Sequence, residues 1–199
     1  MMRVIGLTGY ARSGKDTVGT MLTDLGWHRI AFADNVRALA LEADPWIQVT
    51  GTGRPDRLSY YVAAVGWDEA KAVPEVRRTL QAIGTGVRTV LGEDTWIDAA
   101  LGDAYEAFRI PPGADADGGP AGLVVTDVRH PNEAEAVRQR GGFIVRVDRP
   151  GVGPVNGHEA EAGVERIIPD TAIDNSGDLV ELNRRTHLAL LRLGISTVL

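Results

Sequence analysis

At 199 residues with 44% hydrophobic content, the chain has the size of one domain with a single sizeable core, and disorder is not its default state. Its formal net charge of −6 argues against broad binding to nucleic acid or anionic membranes, so any anion site is local. The absence of cysteine excludes disulfides, thiolate nucleophiles and cysteine-ligated metals and fits a reducing cytoplasm; the apolar start is too short for a signal-peptide core or a membrane span.

In chain order, Arg3 to Thr8 predicts a buried strand and Asp16 to Leu25 a helix, with Val18, Met21, Leu22 and Leu25 on one apolar stripe and Gly26 closing it. Between them runs Gly9-Tyr10-Ala11-Arg12-Ser13-Gly14-Lys15-Asp16-Thr17. A strand feeding a Gly-rich turn and then a helix turns backbone N–H groups inward, where they and the positive helix end meet phosphate oxygens. Gly9 and Gly14 permit the close approach, and Lys15 reaches the phosphates as a point charge. Asp16 stands where such cradles usually carry Ser or Thr, and a carboxylate there can hold Mg²⁺ directly or through water, while Thr17 offers a hydroxyl to a phosphate. The plainer alternative is a Gly-rich β–α turn with a solvated lysine. Only Lys15 and Lys71 are lysines; neither follows Asn or Thr, which removes the Asn-Lys-x-Asp signal of a guanine reader.

Trp27 to Phe32 predicts a second strand, and Asp34 an N-cap for a helix whose Val36, Leu39 and Ala40 face inward until Asp44-Pro45 ends it. Trp46 to Arg57 reads as an irregular excursion. Helical patterns follow at Leu58 to Val65, Pro74 to Ile83, Thr85 to Leu91 and Thr95 to Phe108. Pro111 to Gly122 is a loop rich in Pro, Gly and Asp. Leu123 to Thr126 is a buried strand ending at Asp127, Pro131 to Arg140 a helix broken by Gly141-Gly142, and Phe143 to Val147 a strand. After the Gly- and Pro-rich stretch from Arg149 to Gly163 come a last strand, Thr171 to Asp174, and a closing helix, Leu179 to Leu193. Strands alternating with helices predict a parallel α/β sheet.

Ligands of such sheets gather outside the carboxyl ends of the strands. Four segments converge there: the cradle, Phe32-Ala33-Asp34 with Arg37, Asp127-Val128-Arg129, and Asp174-Asn175-Ser176-Gly177. Asp127 is placed to support Mg²⁺ through water, or else to cap the Pro131 helix. Arg129 can grip two phosphate oxygens with its planar fork, or else pair with Glu133. Arg77, Arg78 and Arg88, with Gln81 between, suit a second anion or an ordinary solvated helix face. Arg138, Arg146 and Arg149 flank the 149–163 stretch as lid arginines would. The histidines at 28, 130, 158 and 187 lack ligand spacing, so no side-chain-built metal site is expected. Trp67 and Trp96 are core residues or, for Trp96 after Glu93-Asp94, a platform for a base.

These residues give the chain a family likeness. It resembles the phage-type deoxynucleoside monophosphate kinases through G-x-x-R-S-G-K-D-T at 9–17, F-A-D at 32–34, L-Q-x-x-G-T at 80–85 and E-D-x-W-I at 93–97. The likeness continues through V-x-D-V-R-x-x-N-E-A at 125–134, G-G-x-x-x-R-V-x-R-P at 141–150, H-E-A-E at 158–161 and D-N-S-G-D-L at 174–179. It implies a single P-loop NTPase domain, a three-layer α/β/α fold with a parallel central sheet, a helical substrate-binding insertion and a lid. The core would be residues 1–34 and 121–199, the insertion about 35–108 and the lid about 149–163.

By the same resemblance, ATP would lie on Gly9, Arg12, Ser13, Gly14 and Lys15, with Thr17 at the α-phosphate and Asn175 and Gly177 bordering adenine. Asp16 and Asp127 would organise Mg²⁺. Arg129 and one or more of Arg77, Arg78 and Arg88 would hold the dNMP phosphate, with Asp34, Arg37, Gln81, Trp96 and Glu133 completing the substrate site and Arg138 and Arg149 the lid. The expected partners are a small dNMP, with no stable nucleic acid and no membrane; a homodimer is left open, and the compartment is the cytoplasm, the host's if phage-encoded. The rival readings are a P-loop kinase resembling animal-type phosphomevalonate kinase or dephospho-coenzyme A kinase, and a nucleotide-binding regulatory module without turnover. Arginines for a second anion are what an enzyme needs and a regulatory module does not.

Overall fold

Strands Val4–Thr8 (β1) and Leu123–Val125 are buried along their whole length, as continuous apolar runs dictate when both faces of a parallel sheet are covered, and Phe143–Asp148 buries Ile144, Val145 and Val147. The structure, a computed structural model, describes residues 3–49, 54–102, 104, 121–153 and 159–195, with residues 159–162 in backbone only. The chain forms two compact units, Met1–Phe32 with Ala100–Leu199, and Ala33–Ala99. The sequence places the corresponding divisions at 34/35 and near 108.

In the first unit, His28–Ile30 is β2, Leu123–Val125 β5, Phe143–Asp148 β6 and Thr171–Asp174 β7; numbers β3 and β4 belong to the second unit. The sheet is parallel in the order β2-β5-β1-β6-β7. Lys15–Asp24 (α1) and Leu179–Arg192, the closing helix, cover one face through Val18, Leu22, Leu182 and Leu190 against Ile5, Leu7, Val124 and Val145. Pro131–Gln139 lies against β1 and β6 on the other face, with Val137 buried. These are the three α/β/α layers of a P-loop fold. From β1 the chain runs outward one way to β2, and beyond β5 it runs the other way to β6 and β7. The crevice at such a switch point, outside β1, receives the turn that carries Gly9 to Gly14.

The second unit contains helix Phe32–Ala43 (α2, from Ala33 onward), strands Trp46–Gln48 (β3) and Pro55–Arg57 (β4), and helices Leu58–Ala70 (α3) and Pro74–Leu91 (α4). Thr95–Ile97 (α5) then passes into a π-helical turn, Asp98–Gly102. The second core comprises Ala40, Ile47, Leu58, Ala70, Val73 and Val76. The later helices of the first unit are α6, Pro131–Gln139; α7, Glu159–Arg166; and α8, Leu179–Arg192. Among the described residues no helix is long and apolar enough to cross a membrane.

Several local expectations are corrected. Phe32 opens α2 and is not the end of β2, because the Asp127 carboxylate accepts the Phe32 N–H (2.8 Å) and supplies the cap from 95 residues away. Asp34 is therefore a first-turn residue, not the N-cap, and Leu39 is 42% exposed instead of facing inward. The 46–57 excursion contains an antiparallel pair, Trp46 opposite Arg57, with the Arg57 guanidinium 4.7 Å above the Trp46 ring; residues 50–53 lie outside the described residues. The sequence pattern divides 74–91 at Gly84, yet α4 is continuous, tertiary packing of its amphipathic face outweighing the propensity cost of glycine. Helix α3 runs past Val65 through a bend at Gly66. The expected Thr95–Phe108 helix is broken into α5 and the π turn, and 103 and 105–108 lie outside the described residues, as do 111–120 of the predicted Pro111–Gly122 loop and 154–158 of the lid stretch.

Candidate active site

The cradle's geometry follows from its backbone. Gly9 (φ 137°), Arg12 (φ 65°) and Gly14 (φ 105°) give three left-handed residues within six, the alternation that turns successive N–H groups toward one concavity. Neither glycine admits a side chain: a Cβ on Gly9 would stand 2.5 Å from the Val147 carbonyl oxygen, and one on Gly14 would collide with the Asn175 amide nitrogen. Gly14 is also the N-cap of α1 and brings no side-chain acceptor, leaving the helix N-terminus to an external anion. The Ser13 hydroxyl, 1% exposed, has no hydrogen-bond partner, nor has the buried Thr8 hydroxyl at the end of β1.

Lys15 folds back across this turn, its Nζ donating to the carbonyls of Gly9 (2.9 Å) and Tyr10 (2.7 Å). Burial and then the neighbouring Arg129 cation push its pKa down to about 8 from 10.5, against the opposing pull of Asp16 and Asp127. Two cations side by side, one of them desolvated, form an electrostatic environment that a polyanion relieves. Asp16 sits exposed in the first turn of α1, and Asp127 is half-buried at the end of β5. Asp127 does cap a helix, but it is α2 and not the Pro131 helix. No group of three or more His, Asp or Glu able to hold a metal occurs among the described residues. Mg²⁺ commonly takes one or two carboxylates, with phosphate oxygens and water completing its shell, so the Asp16 and Asp127 donor set fits that ion.

Arg129 is exposed on the loop between β5 and α6. Glu133 does not reach for its side chain. The buried Glu133 carboxylate accepts the backbone N–H groups of Arg129 (2.7 Å) and His130 (3.0 Å), capping α6 and fixing the loop's course. Glu133 thus anchors the loop, a role legible in its position three residues after His130, with Pro131 at the first helical position. On the loop's other side the Arg129 carbonyl lies against Gly163 of α7, where any Cβ would collide with it. Tyr10, in the cradle, donates its hydroxyl to Glu165 of the same helix (2.7 Å), a link with no local sequence signal.

At the end of β7, Asn175 directs its side-chain amide to the Ser13 carbonyl (2.8 Å), and Gly177 packs on the Glu181 side chain. Arg138 donates to the Ile168 carbonyl and pairs with Asp170 (3.9 Å), bracing the segment before β7. Arg146 pairs with Asp148 (3.1 Å), and Arg149 is exposed just after β6.

In the second unit, Arg37 pairs with Asp34 (3.0 Å) and stands 6.0 Å from the Trp67 ring centroid. Arg77, Arg78 and Gln81 are exposed on α4, and Arg88 is half-buried on the same helix. Trp96 lies in the core, the first of the two readings its sequence offers: it is 8% exposed and its indole N–H donates to the Gly84 carbonyl (3.0 Å).

A family profile described as Deoxynucleotide monophosphate kinase matches residues 62–186, more than half of the chain. The chain is 28% identical over 198 residues to a protein of Acanthamoeba polyphaga mimivirus provisionally named deoxynucleotide monophosphate kinase, across 93% of this chain and 90% of that one. It is 33% identical over 107 residues to the deoxynucleotide monophosphate kinase of Escherichia phage RB69, across 54% of this chain and 41% of that one. Among solved structures, it aligns with an unliganded sugar kinase from Janibacter sp. HTCC2649 (17% identity, TM-score 0.45, 99% of this chain and 97% of that chain). It also aligns with the dephospho-CoA kinase from Campylobacter jejuni (15% identity, TM-score 0.41, 97% and 98%).

Proposed function

The chain belongs to the deoxynucleotide monophosphate kinase family, and from that premise we propose how its own residues move the γ-phosphoryl group of ATP to a dNMP. The observation that carries the reading is the half-buried Lys15 ammonium, folded over the Gly9–Gly14 turn at the uncapped start of α1 and within the field of Arg129. The backbone N–H groups of the cradle hold the donor's phosphates. Lys15 exchanges its two carbonyl contacts for phosphate oxygens, and Thr17 reaches the α-phosphate. An oxygen of the acceptor's phosphate forms a bond to the γ-phosphorus as the bond from that phosphorus to the β,γ-bridging oxygen breaks, leaving dNDP and ADP. The protein's task is to position the reactants and stabilise charge, with no covalent intermediate.

Lys15 follows the donor phosphates and Arg129 the transferred group. Asp16 and Asp127 would hold Mg²⁺, which when bound neutralises phosphate charge. In the first unit Arg129 is the proposed contact for the acceptor's phosphate; in the second, Arg77, Arg78 and Arg88 are its proposed anion contacts and Asp34, Arg37 and Gln81 its proposed sugar or base contacts. The Gly177 turn is left to adenine. Such an enzyme works where ATP and dNMPs are found, in the cytoplasm, the host's if the chain is phage-encoded.

A coupled ADP-release screen across the dNMPs, NMPs, phosphomevalonate and dephospho-coenzyme A tests this. Turnover confined to nucleoside monophosphates and faster with the deoxy series is the expected result. Turnover with only one of the other two acceptors, or ATP binding without turnover, contradicts it.

A further inference from the structure

The geometry points to Asn175 as a positioning residue for the phosphate cradle, acting on the Ser13–Gly14 peptide and not on the adenine ring. This rests on the phosphoryl-transfer reading above. Asn175 follows β7, and its backbone N–H donates to the Asp148 carbonyl at the end of β6 (2.7 Å), so the turn is held in register with the sheet. From there its Nδ2 donates to the Ser13 carbonyl (2.8 Å), 162 residues away in sequence, and the same nitrogen lies against the Gly14 α-carbon.

A trans peptide is planar, with its C=O and the following N–H pointing to opposite sides. Holding the Ser13 carbonyl toward Asn175 therefore turns the Gly14 N–H away from β7. The direction of that donor is otherwise weakly determined, because Gly14 at φ 105° has no side chain to restrict it. One amide thus fixes a donor at the point where the cradle becomes a helix.

The turn bearing Asn175 is itself braced from behind. Arg185 Nη1 donates to the Asp174 carbonyl (2.5 Å), the Asp174 carboxylate (2.5 Å) and the Ser176 hydroxyl (3.1 Å), and its Nε donates to Glu181 (2.7 Å). Glu181 in turn receives two bonds from Arg184. At the cradle's other end, the Val147 carbonyl of β6 closes on Gly9. The cradle therefore leans on β6 at its first glycine and on the β7 turn at its last.

The experiment compares binding of ATP and of inorganic tripolyphosphate, at fixed Mg²⁺, to the wild-type chain, Asn175→Ala and Asn175→Asp by titration calorimetry, with kcat and KM for both substrates. Asn175→Ala should weaken ATP and tripolyphosphate by the same factor, about fivefold to tenfold, the size of one lost hydrogen bond. KM for dNMP should stay unchanged. Asn175→Asp keeps the shape but presents an oxygen to the Ser13 carbonyl and a negative charge to the phosphates, so it should be weaker than Asn175→Ala for both ligands. Loss of ATP affinity with tripolyphosphate unaffected would return Asn175 to the adenine site and overturn the proposal. So would wild-type affinity in Asn175→Asp, which would leave only packing. If the wild-type chain binds neither polyanion, the kinase reading itself fails, and the proposal with it.

Discussion

The two units build their candidate residues in opposite ways. In the first, function rests on backbone. The cradle's N–H groups are aimed by left-handed residues, Lys15 is tied to two carbonyls, and the Arg129 loop is pinned by Glu133 on one side and by Gly163 on the other. In the second, Arg77, Arg78 and Gln81 project from an exposed helix face, and Arg37 leans on Asp34 and Trp67. A backbone-built site is fixed before the ligand arrives, so small changes in it should damage the chemical step. Long side chains on a helix adapt, so changes in them should tune affinity.

Lys15→Ala sets the upper end of this contrast. Removing one preorganised charge from the transition state should lower kcat by about 10²–10³-fold with the fold intact. Retention of most activity in a folded variant would take the cradle out of the mechanism. Gly163→Ala comes next, since its methyl meets the Arg129 carbonyl and the loop must shift. A displacement near 1 Å can cost up to about 100-fold, so kcat for dNMP should drop by about 10- to 100-fold while ATP affinity stays within about twofold. The helical-unit counterparts, Arg77→Ala and Arg78→Ala, should raise KM for dNMP by about threefold to tenfold and leave kcat near wild type. An Arg78→Ala variant that loses kcat as heavily as Gly163→Ala would break the comparison.

Asp16 sharpens it with a smaller effect. If its carboxylate helps hold Mg²⁺, Asp16→Asn should raise the Mg²⁺ needed for half-maximal rate by several-fold, and Asp16→Ser should recover part of the loss, serine being the residue cradles usually carry here. Equal Mg²⁺ dependence in wild type and both variants would assign Asp16 to the helix N-terminus alone.

The same division governs what could be read from the sequence. The strand, turn and helix around Gly9 to Lys15 are legible because adjacent residues make them, and β5 to α6 is legible because a buried apolar run meets Asp127 and Pro131. What was hidden lies in contacts across the chain. Asp127 caps α2, Asn175 grips Ser13, Gly163 backs Arg129, and no local pattern announces any of them. Trp96 is ambiguous for a related reason: its neighbours Glu93 and Asp94 suggest a loop, while the packing and the Gly84 carbonyl that hold its indole come from elsewhere in the chain. Glycines near the middle of α4 likewise suggest a break that the packed helix does not make.

The smallest effect concerns the stability of the unliganded chain, where the cost of a prepared cation should be visible. Lys15 has a pKa near 8 in the folded protein and about 10.5 when unfolded, so between those values the unfolded chain binds more protons. The Lys15 contribution to stability is therefore most favourable above pH 10.5 and is lost as pH falls toward 8; below 8 the folded protein carries the full cost of a charged, desolvated ammonium. Lys15→Met keeps the length and apolar bulk of the stem and removes that charge. Its Tm relative to wild type should be raised at pH 7 by a few degrees, and the gain should shrink as pH rises from 8 to 10.5. Arg78→Met, on an exposed face, should show no such slope. Polyphosphate should reverse the pattern for wild type alone: by stabilising charged Lys15 it raises the lysine's pKa, so binding near pH 9 should take up a proton, detectable as a buffer-dependent heat that Lys15→Met lacks. A pH-independent Tm difference between wild type and Lys15→Met, together with no proton uptake, would mean that the cradle does not strain its lysine before the phosphate arrives.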